Sequence, residues 1–230
     1  MALVLDAEVV LLDIEGTIAS QSFVLDVLFG YSRARMADFV AARRGDPEIE
    51  AILADVAARA GGTDPVAALL AWQDADQKIP PLKKLQGRIW ESGYKEGAYV
   101  SHIYDDALIA LRRFKAAGLP LYIFSSGSVQ AQIQYFQFSS AGDLRSLFDG
   151  HFDTDIGAKV EAASYQAIAD TIGARPSRIV FFSDNPRELE AAAAAGIVVV
   201  HVVKGNTPSD PRFPEITDFS TVELRHSKTE

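Results

Sequence analysis

The sequence predicts an α/β fold, a doubly wound parallel sheet with a helical domain inserted after its first strand. The first observation is a set of short, nearly continuous apolar runs, at Val9–Leu12, Leu119–Phe124, Ile179–Phe182 and Ile197–Val203. Continuous rather than alternating apolar residues are typical of strands buried on both faces. The second observation is the segment 18–100, which contains no comparable run and is far too long for a single crossover.

Helices are predicted between the later strands. The three predicted helices are Asp106–Ala117, Glu161–Ile172 and Pro186–Ala195. A glycine follows each of them at the position expected for a helix C-terminal cap, namely Gly118, Gly173 and Gly196. Strands and helices that alternate in this way favour parallel strands joined by right-handed crossovers.

The long segment between the first two strands is predicted to be helical. Its four predicted helices are Ser32–Arg43, Pro47–Arg59, Pro65–Asp76 and Leu82–Trp90, and glycine- and proline-rich turns separate them. We therefore predict two domains, an α/β core formed by residues 1–17 and 101–230 and a helical cap domain formed by residues 18–100. The tail after Lys204 is rich in Pro, Asp and Thr and is expected to wrap the core as loop.

Composition excludes several classes of function. The 230 residues carry a net charge of −9, so the chain lacks the basic surface of a nucleic-acid or anionic-membrane binder. The absence of cysteine excludes disulfides, thiolate metal sites and a cysteine nucleophile. No apolar run approaches a membrane span, and Asp6 and Glu8 interrupt the start of the chain before a secretory signal could form. We expect a cytoplasmic protein.

Polar residues follow the apolar runs at the points where the strands end. In an open α/β sheet, ligands bind beyond the carboxyl ends of the strands, so these residues are expected to converge on one crevice. Lys159 follows a turn, is predicted to open a helix, and can point to the same edge. The candidate site residues are Asp13 and Glu15 after the first run, Ser125 and Ser126 after the second, Asp184 after the third, and Lys159.

These residue types suit phosphoryl transfer. Carboxylate oxygens are ligands for a hard cation such as Mg²⁺, which commonly bridges to phosphate. Asp13 could attack phosphorus and form an aspartyl-phosphate. Glu15 could protonate the leaving oxygen and later deprotonate the attacking water. Serine hydroxyls and the Lys159 ammonium could neutralise and orient the phosphoryl oxygens.

Four motifs, in order, resemble those of the haloacid dehalogenase-like phosphatases. They are Asp13-x-Glu15-Gly-Thr17, the strand end Leu-Tyr-Ile-Phe-Ser125, Lys159, and Ser183-Asp184. The usual first motif of that superfamily is D-x-D, and the D-x-E of this chain is characteristic of one branch, the acireductone synthases or enolase-phosphatases. Further stretches resemble the same branch, at 85–94, 124–132 and 152–161. The likeness extends from about Val10 to Val203, and it loosens at Lys204-Gly205-Asn206, where Arg-Pro-Gly-Asn is expected.

The resemblance implies a bifunctional enzyme of methionine salvage, with a Rossmann-like core and a helical cap. Such an enzyme enolises 2,3-diketo-5-methylthiopentyl-1-phosphate and then removes the phosphate to release the acireductone. It implies one Mg²⁺ per subunit held by Asp13, Glu15 and Asp184, with Asp13 and Glu15 catalytic. It also implies substrate contacts from Ser125, Ser126 and Lys159, and a monomer that acts on a small phosphorylated diketone without nucleic-acid or membrane partners.

Three other functions compete with this one. A general small-molecule phosphatase of the same superfamily would carry Asp at position 15. A haloacid dehalogenase also uses an Asp nucleophile but needs no metal, and a phospho-accepting signalling receiver is shorter and has no helical insertion. The enolisation base is open between Glu15 and Lys159. Glu188 is equally compatible with a second acid near the site and with an ordinary glutamate in the first turn of a helix.

Overall fold

The protein is described by a computed structural model that covers residues 2–226. The chain divides into two compact units. One unit contains the chain up to Gln21 and from Ser101 onward, and the other is Ser22–Val100. Residues 18 and 19 belong to the first unit, since Ile18 is buried there and its carbonyl accepts the Tyr104 N–H at 2.9 Å.

The first unit is built on parallel strands. In chain order they are β1 (Leu3–Ala7), β2 (Val9–Leu12), β3 (Leu121–Phe124), β4 (Gly150–Phe152), β5 (Ile179–Ser183), β6 (Val198–Val202), β7 (Glu215–Ile216) and β8 (Val222–His226). Six of them form one sheet in the order β4-β3-β2-β5-β6-β7. The two remaining strands, β1 and β8, pair with each other in parallel, with Leu3 opposite Val222 and Leu5 opposite Leu224.

Eight α-helices lie within residues 2–226. They are α1 (Gly30–Ala42), α2 (Pro47–Arg59), α3 (Pro65–Asp74), α4 (Pro80–Lys95), α5 (Asp105–Ala116), α6 (Val129–Gln137), α7 (Ala162–Ile172) and α8 (Pro186–Ala194). The first four belong to the second unit and the last four to the first unit. A left-handed glycine, Gly173 at φ +68°, ends α7 as its sequence position predicts.

Helices cover both faces of the six-stranded sheet, which confirms the predicted fold class. On one face, Leu11 and Phe181 belong to a cluster with Tyr165 of α7 and Leu189 of α8. On the other face, Phe182 stacks on Phe114 of α5, with ring centroids 6.4 Å apart. All four residues of β2 are therefore buried, and each fully buried aliphatic side chain contributes about 1.5–3 kcal/mol to folding.

The second unit is a four-helix unit with its own core. Two of its helices begin with a capped Asp-Pro pair: Asp46 accepts the Glu48 N–H at the start of α2, and Asp64 accepts the Ala67 N–H at the start of α3. One π-helical segment, Phe23–Phe29, precedes α1. The core draws on all four helices and consists of Met36, Phe39, Val40, Ile49, Ile52, Leu53, Val56, Ala68, Leu69, Leu82, Leu85 and Ile89.

Several elements differ from the sequence predictions. The tail after Lys204 is not only loop, because it contributes β7 and β8 to two sheets. Lys159 does not open a helix; it lies in the turn before α7, which begins at Ala162. Helix α4 continues past Trp90 to Lys95. Gly93 interrupts the apolar pattern in the sequence, but the helix includes it. No helix within residues 2–226 has both the length and the apolar character needed to span a bilayer.

Candidate active site

The candidate site residues gather where the direction of the strand connections reverses. Strand β2 lies between β3 and β5, so its two neighbours come from later parts of the chain on opposite sides. Such a reversal opens a crevice beyond the carboxyl ends of the strands. Asp13 follows β2, Ser125 follows β3 and Asp184 follows β5. The order of the sheet therefore brings these three loops to one edge.

Lys159 is the centre of the site's charge network. Its ammonium lies 2.5 Å from Asp13 Oδ1 and 2.7 Å from Glu188 Oε2, and all three side chains are buried. Burial alone would lower the Lys159 pKa, but the carboxylates of Asp13 and Glu188 outweigh it and hold the pKa above its usual value. Lys159 is consequently a fixed cation at neutral pH.

Glu188 lies in the first turn of α8 and also contacts the candidate site through Lys159, so both descriptions that its sequence left open apply to it. Ser183 donates a hydrogen bond from Oγ to Glu188 Oε2 at 3.0 Å, and Asn185 Nδ2 donates to Oε1 at 3.3 Å. Burial, followed by the charge of Asp13, raises the pKa of Glu188 to about 7, against the opposing effect of Lys159. The available signal was its position in the first turn of α8, one helical turn after Asp184.

Glu15 is held by Ser125, whose Oγ donates to Glu15 Oε2 at 3.2 Å. Burial raises the pKa of Glu15, the charge of Asp13 raises it further, and Lys159 acts against both. A carboxyl with a raised pKa keeps its proton to a higher pH than an ordinary glutamate does and is a better proton acceptor once ionised. Glu15 therefore has the properties of a general acid and base.

Asp184 is positioned by the loop that carries Asp13 and Glu15. Its main-chain N–H donates to Thr17 Oγ1 at 3.0 Å. Its carboxylate packs against Gly16, where the backbone has φ +77° and a β-carbon would overlap the carboxylate. Burial and the charge of Asp13 raise the pKa of Asp184 to about 6. The Asp13 loop and the Asp184 loop thus fit against each other closely.

The loop 125–128, which follows β3, makes only one side-chain hydrogen bond to the other candidate site residues, from Ser125 to Glu15. Ser125 is buried, and its Oγ also accepts the Gly127 N–H at 3.2 Å. Ser128 caps α6 by accepting the Ala131 N–H. Ser126 is partly buried, and within residues 2–226 its side chain makes no hydrogen bond to Asp13, Glu15 or Lys159.

The donors at this edge fit a hard divalent cation by their chemistry, although they are not preassembled round one point. Within residues 2–226, no three Asp, Glu or His side chains are grouped as ready metal ligands, and Glu15 is turned toward Ser125. The charges of Asp13 and Glu15 both raise the Asp184 pKa, so these carboxylates repel one another. A bound cation would relieve that repulsion, and oxygen donors are what Mg²⁺ prefers.

His151, His102 and Trp90 make their hydrogen bonds outside this network. His151 Nδ1 contacts Gln132 Oε1 at 3.1 Å, and burial lowers the His151 pKa. His102 Nδ1 accepts the Ser20 N–H. In the second unit, the Trp90 indole donates to Leu28 O at 2.7 Å. Each of these contacts is a structural one.

Comparison with known proteins agrees with this geometry. Residues 7–196 match the family model described as haloacid dehalogenase-like hydrolase. The enolase-phosphatase E1 of Methylococcus capsulatus is 47% identical over 220 residues, covering 93% of this chain and 96% of that protein. The enolase-phosphatase E1 of Aquifex aeolicus is 44% identical over 219 residues, covering 94% and 98%.

A solved structure is similar over nearly the whole chain. The UTR4 protein of Saccharomyces cerevisiae is 34% identical, with a TM-score of 0.81, and the match covers 94% of this chain and 100% of that one. The resemblance that the D-x-E motif indicated is thus confirmed over the length of the chain, and the chain belongs to the haloacid dehalogenase-like hydrolases and, among them, to the enolase-phosphatases.

Proposed function

We propose that this protein is an enolase-phosphatase that converts 2,3-diketo-5-methylthiopentyl-1-phosphate to 1,2-dihydroxy-3-keto-5-methylthiopentene and phosphate in methionine salvage. The observation that carries the proposal is the pair of acidic groups at the end of β2. Asp13 is paired with the Lys159 ammonium at 2.5 Å, and Glu15, two residues on, is held by Ser125 and has a raised pKa. A nucleophile and an acid–base group thus stand two residues apart on one loop, each with its own partner.

Asp13 would carry the phosphoryl group. A carboxylate oxygen of Asp13 attacks phosphorus, the bond from phosphorus to the substrate oxygen breaks, and Glu15 gives its proton to that oxygen. Water then attacks the aspartyl-phosphate, and Glu15 takes the proton from the water. Cleavage of the bond between phosphorus and Asp13 restores the carboxylate and releases inorganic phosphate.

Lys159, Ser125 and Ser126 would bind the phosphate. The Lys159 ammonium is already fixed beside the attacking carboxylate, so it needs no reorganisation when negative charge moves to the phosphoryl oxygens. The Ser125 hydroxyl lies 3.2 Å from Glu15 Oε2, so a phosphate bound by Ser125 would lie next to Glu15. Ser126, which is partly exposed beside it, has a hydroxyl available to a ligand.

Asp13, Glu15 and Asp184 would hold one Mg²⁺ ion per subunit. Glu15 would do so with its main-chain carbonyl or by leaving Ser125, since its side chain is bound there. When bound, Mg²⁺ supplies positive charge that offsets the charge of the phosphoryl oxygens. Asp184 is held in place for this role by Thr17 and Gly16.

Glu15 is also the proposed base for enolisation. A carbon-bound proton beside a ketone is removed when a base lies within reach and donors stabilise the developing enolate. The contacts of Lys159, the other candidate, favour Glu15 as the base, because the two carboxylate partners of Lys159 raise its pKa above the usual value. Glu15 removes the proton as a carboxylate and is then protonated, which is the state that the phosphoryl step requires.

The test is an ultraviolet time course on the diketo phosphate, with phosphate release followed in parallel. Enol absorbance should rise before phosphate appears, EDTA should abolish phosphate release and Mg²⁺ should restore it. Ca²⁺ should inhibit, because its coordination is longer and looser than that of Mg²⁺. Phosphate release without any enol would indicate a general phosphatase instead, and full activity after rigorous chelation would remove the metal from the proposal.

We also infer that the protein acts as a monomer in the cytoplasm, on a small molecule rather than on nucleic acid or membrane. The net charge of −9 supports the part that concerns nucleic acid and membrane, and the monomer is what the resemblance to the family implies. Sedimentation of the purified protein across a concentration series would detect a dimer directly.

A further inference from the structure

Gln132 is a buried polar residue that the reaction does not use directly. It lies in the first turn of α6, immediately after the loop 125–128. Its Nε2 donates to Gly127 O at 2.8 Å and to Phe152 O at 2.9 Å. Its Oε1 lies 3.1 Å from His151 Nδ1, and since Oε1 can only accept, His151 is the donor. Both Nε2 hydrogens and the oxygen of this amide are therefore engaged.

The Gln132 amide joins two strand ends. Phe152 ends β4, and its carbonyl accepts the Ser125 N–H at 3.2 Å in addition to the bond from Gln132. Gly127 lies in the loop 125–128, and its N–H donates to Ser125 Oγ. The hydrogen bonds therefore run from Ser125 through Phe152, Gln132 and Gly127 back to Ser125. This closed ring sets the position of the Ser125 hydroxyl.

Glutamate and methionine are close to glutamine in size, but neither could complete this ring. Glutamate has no N–H to give to the two carbonyls and would place a carboxylate against them. Methionine has the same length but neither donor nor strong acceptor. Helix α6 has a separate anchor, because Asp153 Oδ2 accepts the Val129 N–H at 2.9 Å. A change at Gln132 should consequently act on the loop 125–128 rather than on the helix.

We propose that Gln132 is a positioning residue that holds the loop 125–128 so that the Ser125 hydroxyl and the loop's main chain bind the substrate's phosphate group. The inference rests on the proposed function, since it assigns that loop to phosphate binding. The hydrogen bonds of the Gln132 amide go to Gly127, Phe152 and His151. Its effect reaches the site through Gly127 and Phe152, and the residues proposed as metal ligands stand on other loops.

The experiment compares Gln132→Glu and Gln132→Met with wild type and with Gln130→Glu. Gln130 is in the same helical turn but exposed, so its substitution makes the same change of charge on a side chain that faces solvent. For each protein we would measure kcat and KM with p-nitrophenyl phosphate, the affinity for inorganic phosphate by calorimetry, and the Mg²⁺ concentration that gives half-maximal thermal stabilisation.

The two Gln132 variants should raise KM and weaken phosphate binding by about tenfold, the effect expected when buried hydrogen-bond partners lose their donor. Mg²⁺ half-saturation should stay at the wild-type value, a result that general unfolding of the site would not give. Gln130→Glu should match wild type in every measurement. Unchanged KM and phosphate affinity in both Gln132 variants would overturn the proposal, as would an equal loss of Mg²⁺ affinity.

Failure of the proposed function is separable from failure of this inference. If the wild-type protein binds inorganic phosphate but hydrolyses neither p-nitrophenyl phosphate nor the diketo phosphate, the function is wrong. Calorimetry on the variants still decides the role of Gln132 in that case. If wild type is active and the Gln132→Met variant binds phosphate as tightly as wild type does, only the inference is wrong.

Discussion

The carboxylate of Asp184 packs directly against the α-carbon of Gly16, so that a methyl group at Gly16 would overlap both Oδ2 and Cγ of Asp184. Gly16 also has φ +77°, a backbone conformation that costs other residues about 1–2 kcal/mol. Two independent constraints, one conformational and one steric, therefore require glycine at this position. The steric one links the loop after β2 to a residue proposed as a metal ligand.

Gly16→Ala should therefore damage the site more than it damages the fold. The variant should lose Mg²⁺-dependent activity because Asp184 is displaced. Gly173→Ala is the matched control, since Gly173 also has positive φ, +68°, but a β-carbon there meets nothing within 4 Å. Both variants should lose about 1–2 kcal/mol of stability in urea unfolding from the positive φ, and Gly16→Ala should lose more because of the overlap with Asp184. Equal activity in the two variants would show that the contact with Asp184 does not matter.

Lys159→Met should be strongly destabilising as well as inactive. The substitution leaves the buried carboxylates of Asp13 and Glu188 without their cation, a change that typically costs about 3–5 kcal/mol. Adding Glu188→Gln to this variant should recover part of the stability in urea unfolding, since one buried charge is removed, but none of the phosphatase activity. Lys115→Met, which breaks an exposed pair with Asp149, should cost no more than about 1 kcal/mol.

The metal-free protein should become less stable as pH rises through the range in which Asp184 and Glu188 titrate. Their pKa values in the folded protein, about 6 and about 7, lie above the ordinary values of 3.8 and 4.5. The folded state therefore binds these protons more tightly than the unfolded state does. Their contribution to the free energy of unfolding is complete below the ordinary values and is lost as pH rises through 6 and 7.

The measurement for this prediction is urea unfolding of the metal-free protein at a series of pH values. Glu188→Gln cannot titrate at position 188, so its stability should fall less steeply than that of wild type between pH 4.5 and 7. The comparison uses the slopes, because the variant also loses an ion-pair partner of Lys159 and starts from a different stability. Parallel curves would contradict the prediction.

Glu15→Asp should impair enolisation more than ester hydrolysis. Aspartate is one methylene shorter, so it reaches the substrate carbon less well while still presenting a carboxyl group beside Asp13. Stopped-flow absorbance reports the enol, and p-nitrophenyl phosphate reports hydrolysis without any enolisable carbon. A variant that slows both reactions by the same factor would mean that Glu15 is not the dedicated enolisation base.

The parts of the fold that could be predicted are those with an unambiguous local pattern. Strand β2 is four consecutive buried apolar residues, and α2 begins and ends where its Asp-Pro cap and last arginine place it. Strand β4 could not be predicted, because its three residues are all only half-buried and lack an apolar run. The segment Phe23–Phe29 has no distinctive pattern either, since π-helical turns follow from local packing rather than from composition.

The candidate site residues that could be predicted are those that follow a predicted strand. Asp13, Ser125 and Asp184 follow apolar runs directly, so their common edge could be inferred without a structure. The role of Glu188 depends on the distance from its carboxylate to Lys159, and no local pattern encodes that distance. The role of Gln132 could not be predicted either. Its amide donates to the main-chain carbonyls of Gly127 and Phe152, and every residue has such a carbonyl.

The pairing of β1 with β8 has a consequence for folding during synthesis of the chain. Strand β1 is synthesised well before its partner, Val222–His226, which follows the whole second unit and most of the first. Until then the hydrogen-bonding edge of β1 has no native partner, and closing so long a loop is slow compared with forming local contacts. A nascent chain that stops before residue 222 is therefore a template for strand addition by another chain, and completion of the last strand removes that hazard.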